Sequence, residues 1–293
     1  MAPDAARLES FTREGLTFTV DDHGPRDAPA VLLLHGFPTD RTSWRGVSPL
    51  LHESGLRTLA PDQRGYAEGA RPPGVAAYRL EELVADALAL LDCAGVASAH
   101  VVGHDWGGAV AWLLAGNHPD RVTSLTVLST PHPAALSRAW KSDRDQRRRS
   151  WYVAAFQVPW LPERVFARRF TRVLVRTGMP VADAGRYAAR LARPGALRGP
   201  IGWYRATRGS TLGAHRVSVP TTLVWGSRDS FLGRRAAELT AEHVTGDYDF
   251  VELADNHWLP ERRPSECAGA IIARALGGDD PDHDDAGKKP ARG

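Results

Sequence analysis

In Gly103-His104-Asp105-Trp106-Gly107-Gly108 an aspartate stands at the centre of a small-x-nucleophile-x-small pattern. Ala99 to Val102 before it reads as a buried strand, and Gly108 to Gly116 after it as an amphipathic helix. So sharp a turn throws its central side chain clear of a sheet, and the flanking glycines let strand and helix approach closely. Serine at that place would point to acyl transfer. A carboxylate points to attack on saturated carbon and an alkyl-ester intermediate. Aspartate is also a favoured helix N-cap, so the hexapeptide alone admits a structural role for Asp105.

The ester would have to be hydrolysed to free the enzyme, which calls for a base to activate water and an acid to orient the base. Asp229 follows Trp225-Gly226-Ser227-Arg228 in a loop after a strand, and Asn256-His257-Trp258 follows the last strand. A turn-forming aspartate or a helix-end histidine would each be ordinary alone. All three at strand ends, in the order nucleophile, acid, histidine, favour chemistry. His35-Gly36-Phe37-Pro38 closes another strand. Gly36 permits an unusual backbone and Pro38 stiffens the turn. The backbone N–H of Phe37, with that of Trp106, then makes a candidate oxyanion hole. His35 and His104 read as loop supports, and Asp62 and Arg64 as an ion pair internal to the turn Pro61 to Gly65.

Strand and helix patterns alternate along the chain. Leu16 to Val20 alternates like an edge strand, and Pro29 to Leu34, Thr58 to Ala60 and Val122 to Leu128 read as strands. Tyr78 to Leu91 has apolar residues at helical spacing. From about Ala134 to Ala214 only helical patterns, Arg-rich faces and proline breaks occur. The strands Thr221 to Trp225 and Tyr248 to Leu253 follow, with helices over about Gly233 to His243 and Pro264 to Leu276. This predicts an α/β fold: a mostly parallel sheet flanked by helices, with a helical lid inserted after the sixth strand. The expected division is a core over 1–131 and 217–276, a lid over 132–216 and a disordered tail over 277–293.

With 293 residues, 43% of them hydrophobic and 24% charged, the chain is that of a globular protein. Met1 to Thr12 lacks the apolar core of a signal peptide, and no apolar run reaches the ~20 residues that span a bilayer. No membrane partner is expected. Cys93 and Cys267 stand in apolar helical contexts and read as buried thiols, in keeping with a cytoplasmic location. No Cys/His cluster has metal-ligand spacing. The net charge of +3 is small, and Arg147-Arg148-Arg149 reads as a solvated helix face. No nucleic-acid-binding module accompanies it. The chain is expected to act as a monomer or homodimer.

From about Phe11 to Leu276 the sequence resembles the α/β-hydrolase superfamily, on His35-Gly36-Phe37-Pro38, residues 103–108, Asp229 and His257-Trp258. Dehalogenases of the same fold share these motifs. Within the superfamily it is similar to the epoxide hydrolases, which use two lid tyrosines to hold and protonate the epoxide oxygen. The segment 150–159 matches the first tyrosine motif with Tyr152, and Gly202-Trp203-Tyr204-Arg205 the second with Tyr204. A phenol suits the task, being neutral at pH 7 yet able to donate to a stronger base. The resemblance implies an apolar epoxide opened by Asp105 to a vicinal diol through an aspartyl ester, with no cofactor. His257 is then the base, Asp229 its orienter, and Phe37, Trp106, Trp151, Phe156 and Trp258 contact the substrate. A dehalogenase would instead place indole or amide N–H donors around a halide. Trp106 suits either chemistry, Phe37 stands where many haloalkane dehalogenases have Asn, and Trp140, Trp151 and Trp203 keep that alternative open. A ligand-binding protein on a retired scaffold is a third reading, with no use for an intact Asp105, Asp229 and His257.

Overall fold

A computed structural model describes residues 7–207 and 213–277. Eight strands form one sheet: β1 (Ser10–Arg13), β2 (Leu16–His23), β3 (Ala30–Leu34), β4 (Arg57–Pro61), β5 (Ala99–His104), β6 (Val122–Leu128), β7 (Thr221–Gly226) and β8 (Tyr248–Leu253). Their order is β1-β2-β4-β3-β5-β6-β7-β8, antiparallel at β1/β2 and β2/β4 and parallel elsewhere. Leu16 to Val20 is therefore not the edge. The shorter β1, which the alternation did not reveal, covers it.

Helices α1 (Ser48–Glu53), α2 (Leu80–Cys93) and α3 (Trp106–Asn117) connect the first strands. Between β6 and β7 the described residues form α4 (Pro133–Ser142), α5 (Arg144–Arg149), α6 (Trp151–Phe156), α7 (Leu161–Arg176), α8 (Val181–Leu191) and α9 (Arg198–Ala206), and no named strand. Then come α10 (Arg234–Leu239), α11 (Leu259–Arg262) and α12 (Pro264–Leu276). The helix expected over Gly233 to His243 stops at Leu239 and continues as a 3-10 turn.

Side-chain alternation explains why both faces are covered. Leu32 and Leu34 of β3, Val101 of β5 and Leu223 of β7 pack into the core beneath α2 and α3. Their neighbours Val31, Leu33, Val102 and Val224 pack on the opposite face with residues of α1 and α12. Each fully buried Leu or Val contributes roughly 1.5–3 kcal/mol, so neither face can be left to water. A separate apolar cluster joins the helical segment, through Phe170, Tyr187 and Ile201, to Trp258 of the core.

Two expectations need correction. Asp62 and Arg64 do not pair with each other. Asp62 receives Arg41 at 2.5 Å and Arg190 of α8 at 2.7 Å, while Arg64 grips Asp86 of α2 at 2.7 Å. Each side chain leaves the turn towards a counter-charge on a different helix, half-buried for Asp62 and buried for Arg64, so the turn is tied outward at both ends. Arg190 also reaches Asp40 at 2.7 Å and thereby fastens the helical segment to the sheet. Of the cysteines, Cys267 is buried as expected, but Cys93 at the end of α2 is exposed, and both are free thiols. The expected tail, beyond Gly277, lies outside the described residues, which contain no helix long and apolar enough to cross a membrane.

Two glycines offer opposite tests of packing. A Cβ on Gly107 would run into the backbone carbonyls of Leu34 and His35, whereas one on Gly269 of α12 meets open space. In thermal unfolding, Gly107→Ala should lose at least about 3 kcal/mol, beyond ordinary overpacking because backbone is the obstacle. Gly269→Ala should gain about 0.5–1 kcal/mol from helix propensity.

Candidate active site

The β5–α3 connection places Asp105 as its motif predicts. Its backbone stands at φ +51° and ψ −122°, and its side chain makes no cap hydrogen bond to α3, so the N-cap reading fails. Gly36 is required for space rather than for an unusual φ, because a Cβ there would strike the Cβ of Asp105. The loop Gly36 to Pro38 can therefore lie directly against the elbow. From it the Phe37 N–H donates to Asp105 Oδ1 at 2.7 Å. The Trp106 N–H also bonds the carboxylate. Both candidate oxyanion donors thus reach one carboxylate.

His257 lies between two acids. Its Nε2 is 3.3 Å from Asp105 Oδ2, and its Nδ1 is 2.7 Å from Asp229 Oδ2. The other Asp229 oxygen accepts from the N–H groups of Phe231 (2.7 Å) and Leu232 (3.0 Å), which fixes the acid for orienting the imidazole. Burial disfavours the imidazolium. The neighbouring Asp229 charge and the bonds to both acids outweigh it and push the pKa up to about 10. For Asp105 burial favours the neutral acid, but the His257 hydrogen bond and charge hold its carboxyl below the usual carboxylate range.

His104 and His35 are structural, as their positions implied. His104 Nε2–H donates to the His257 carbonyl at 2.8 Å, which Ser129 Oγ also reaches at 2.9 Å. Burial pushes the His104 pKa down to about 4, so the ring beside the imidazolium is neutral. His35 Nε2 accepts from the Gln63 N–H at 3.1 Å, and its Nδ1 meets the Gly36 carbonyl, also at 3.1 Å.

Asp105 and His257 face a cavity of about 400 Å³ whose opposite wall comes from the helical segment. Tyr152 of α6 and Tyr204 of α9 both line it. Their hydroxyls are hydrogen-bonded to each other, and burial together with the Asp105 charge keeps both phenols protonated by raising their pKa. Phe37, Trp151, Phe156 and Trp258 line the same cavity.

Trp106 does not line it. Its indole packs edge-on to Tyr204 (centroids 4.9 Å) and bonds that residue's hydroxyl group, so the expected substrate contact through this side chain is withdrawn. Indole N–H groups are committed elsewhere as well: Trp203 Nε1 donates to the Arg64 carbonyl (2.9 Å) and Trp258 Nε1 to Thr177 Oγ1 (3.1 Å). Trp140 is exposed and away from the cavity, which leaves Trp151, 67% exposed, at its rim. A buried halide cradle of two indoles is not assembled.

Other wall residues carried no sequence signal strong enough to single them out. Phe231 lies edge-on to His257 (centroids 4.9 Å), α7 contributes Phe170 and Leu174, and Thr177 follows directly after it. Gln146 of α5 is fully buried. Its Nε2 donates to the Phe231 carbonyl (3.0 Å) and its Oε1 accepts from the Gly233 N–H (2.8 Å). Arg149 donates to the Asp229 carbonyl. The Asp229 loop is therefore clamped by α5, and a glutamine inside an arginine run was the only hint of it.

The family model for the alpha/beta hydrolase fold matches residues 29–264. AB hydrolase superfamily protein YfhM of Bacillus subtilis is 34% identical over 89% of this chain and 95% of its own length. Epoxide hydrolase 4 of Mus musculus is 35% identical over 88% of this chain and 76% of its own. The crystal structure of epoxide hydrolase A from Mycobacterium thermoresistibile superposes with a TM-score of 0.77, at 27% identity, over 92% of this chain and 97% of that one. On its sheet, its elbow aspartate and these relatives, the chain belongs to the α/β-hydrolase superfamily and sits among its epoxide hydrolases.

Proposed function

We propose that the protein is an epoxide hydrolase that converts an apolar epoxide and water to a vicinal diol through an ester on Asp105. The observation that carries this reading is the pairing across one cavity of Asp105, backed by His257, with the hydroxyls of Tyr152 and Tyr204. Opening an epoxide expels an alkoxide, which needs a proton donor opposite the nucleophile. The two buried phenols supply it, while the indole N–H groups a halide would need point elsewhere. Residues 132–216 then act as the cap, and Phe37, Trp151, Phe156 and Trp258 as the apolar substrate walls.

The two carboxylate oxygens divide the work. Oδ1 is held by the Phe37 N–H, which leaves Oδ2, beside His257, to attack the less hindered epoxide carbon. The ring carbon–oxygen bond breaks, and one tyrosine delivers its proton to the departing oxygen. Esterification removes a negative charge next to His257, so the imidazolium gives up its proton through solvent to the tyrosinate left by ring opening, and the neutral imidazole becomes a base. It takes a proton from water, which attacks the ester carbonyl carbon. Oδ1 becomes the oxyanion, already under the N–H groups of Phe37 and Trp106. Collapse breaks the Cγ–Oδ2 bond as His257 returns the proton to Oδ2, and the diol leaves. Water's oxygen remains on Asp105, and the new carboxylic acid passes its proton to His257 to restore the resting pair.

Incubation with styrene oxide and separately with a 1-haloalkane, with assays for diol and free halide, tests the assignment. The wild type should form diol and release no halide. Tyr152→Phe with Tyr204→Phe should slow epoxide turnover by about 10²–10⁴. Undiminished diol formation by the double variant, or halide release outpacing diol, would refute it.

The site also predicts a pH dependence. His257's folded-state pKa lies above its unfolded value near 6.5, so the pair's stabilisation is complete below about pH 6.5 and disappears as pH rises to about 10. Asp105→Asn removes one of the two charges behind that shift. In imidazole NMR titrations His257 should titrate at lower pH in the variant, and its melting temperature should fall less steeply between pH 7 and 10.

A further inference from the structure

The outer surface of the helices between β6 and β7 differs in charge from the rest of the chain. Residues 133–176 hold eleven Lys and Arg against three Asp and Glu, a net charge of +8 in a chain whose total is +3. Arg147 and Arg148 of α5 and Arg169, Arg172 and Arg176 of α7 are exposed, and among the described residues none has a carboxylate partner. Apolar side chains are interleaved with them. Of the nine large apolar side chains exposed in the described residues, five (Trp140, Trp151, Val158, Trp160 and Val173) belong to this segment, with Trp151 67% and Trp160 63% exposed.

The cavity opens onto this surface. Arg148, Trp151 and Val173 line the cavity and are also exposed, so they form its mouth. Along α7, Arg169 precedes Val173 by four residues and Arg176 follows it by three, with Arg172 completing the same stripe. Helical neighbours at these spacings share a face, so the arginine stripe borders the mouth on the side away from the cavity.

We propose that this face docks on an anionic membrane surface, with Trp151 at the lipid interface and the cavity mouth turned towards the bilayer. Tryptophan settles at the boundary between headgroups and acyl chains, where its ring is half solvated. Each basic side chain close to an anionic bilayer raises partitioning about fivefold. A nucleic-acid surface would attract the arginines equally but gives no role to the exposed Trp and Val side chains or to an apolar cavity opening among them. Of the arginine run expected to be a solvated face, Arg147 and Arg148 are exposed, whereas Arg149 is half-buried against the Asp229 loop. The described residues hold no helix long and apolar enough to cross a membrane, and the contact proposed is peripheral. Entry of substrate from the bilayer rests on the proposed function, whereas docking itself does not.

Flotation of the purified full chain with vesicles tests docking. Phosphatidylcholine alone is compared with phosphatidylcholine containing phosphatidylglycerol, at low salt and at about 0.5 M, where the Debye length shrinks to about 4 Å. The chain should float with anionic vesicles only, at low salt only, with a blue shift of tryptophan fluorescence. The set Arg147→Gln, Arg169→Gln, Arg172→Gln and Arg176→Gln should bind at least about 100-fold more weakly, four fivefold steps multiplying to about 600-fold, and the matching Arg→Glu set more weakly still. Both should turn over styrene oxide without vesicles as the wild type does. Equal binding to neutral and anionic vesicles, wild-type binding by the charge-reversed set, or tighter binding to double-stranded DNA than to anionic vesicles would each overturn the proposal. Turnover measured without vesicles reads the proposed function separately, so the two fail independently.

Discussion

The backbone of Asp105 sits where a non-glycine residue is strained, at a cost of order 1–3 kcal/mol, and its surroundings hold it there. β5 is locked between β3 and β6, α3 runs back over the sheet, and Gly36 and Gly107 remove the side chains that would block their approach. This constraint projects the carboxylate beyond the sheet, to where the Phe37 N–H and the His257 ring can meet it. Were the backbone to relax to an ordinary conformation, Asp105 would lose both partners at once.

Around that side chain the electrostatics change during the proposed cycle. In the resting site two carboxylates flank one imidazolium, a buried arrangement in which each group's protonation depends on the others. Burial opposes charge on Asp105 and His257, and their proximity to each other and to Asp229, with the N–H groups on Asp105, sustains it. Esterification removes one member, so the imidazolium that favoured an ionised nucleophile can shed its proton and then accept one from water. The helical segment takes part in this balance. Its two tyrosines are neutral because they are buried, and Gln146 and Arg149 hold the loop that carries Asp229. Displacing the segment would therefore disturb the acid as well as uncover the cavity.

Much of this was legible in residue order. Asp105, Asp229 and His257 each end or follow a strand, and the sheet brings parallel strand ends together, so their order along the chain sufficed to bring them into one site. β5, β6, β7 and β8 were visible as apolar or alternating runs, and α12 was bounded by its proline and glycine. What sequence concealed was set by long-range contact. β1 is four residues long and too short to show a period. Asp62 and Arg64 looked like neighbours with complementary charge, but each found a partner more than twenty residues away. The Trp106 indole could have faced substrate or scaffold, and only packing against Tyr204 decides that. Gln146 looked like one more polar residue on a solvated helix, although its amide spans the Asp229 loop.

A single turnover in ¹⁸O-labelled water with enzyme in excess over epoxide addresses the covalent step most directly. The account predicts an unlabelled diol, its new oxygen coming from Asp105, and one ¹⁸O atom on the peptide containing Asp105 by mass spectrometry. Label in the diol after that first turnover, with an unlabelled Asp105 peptide, would mean that water attacks the epoxide itself and would contradict the account.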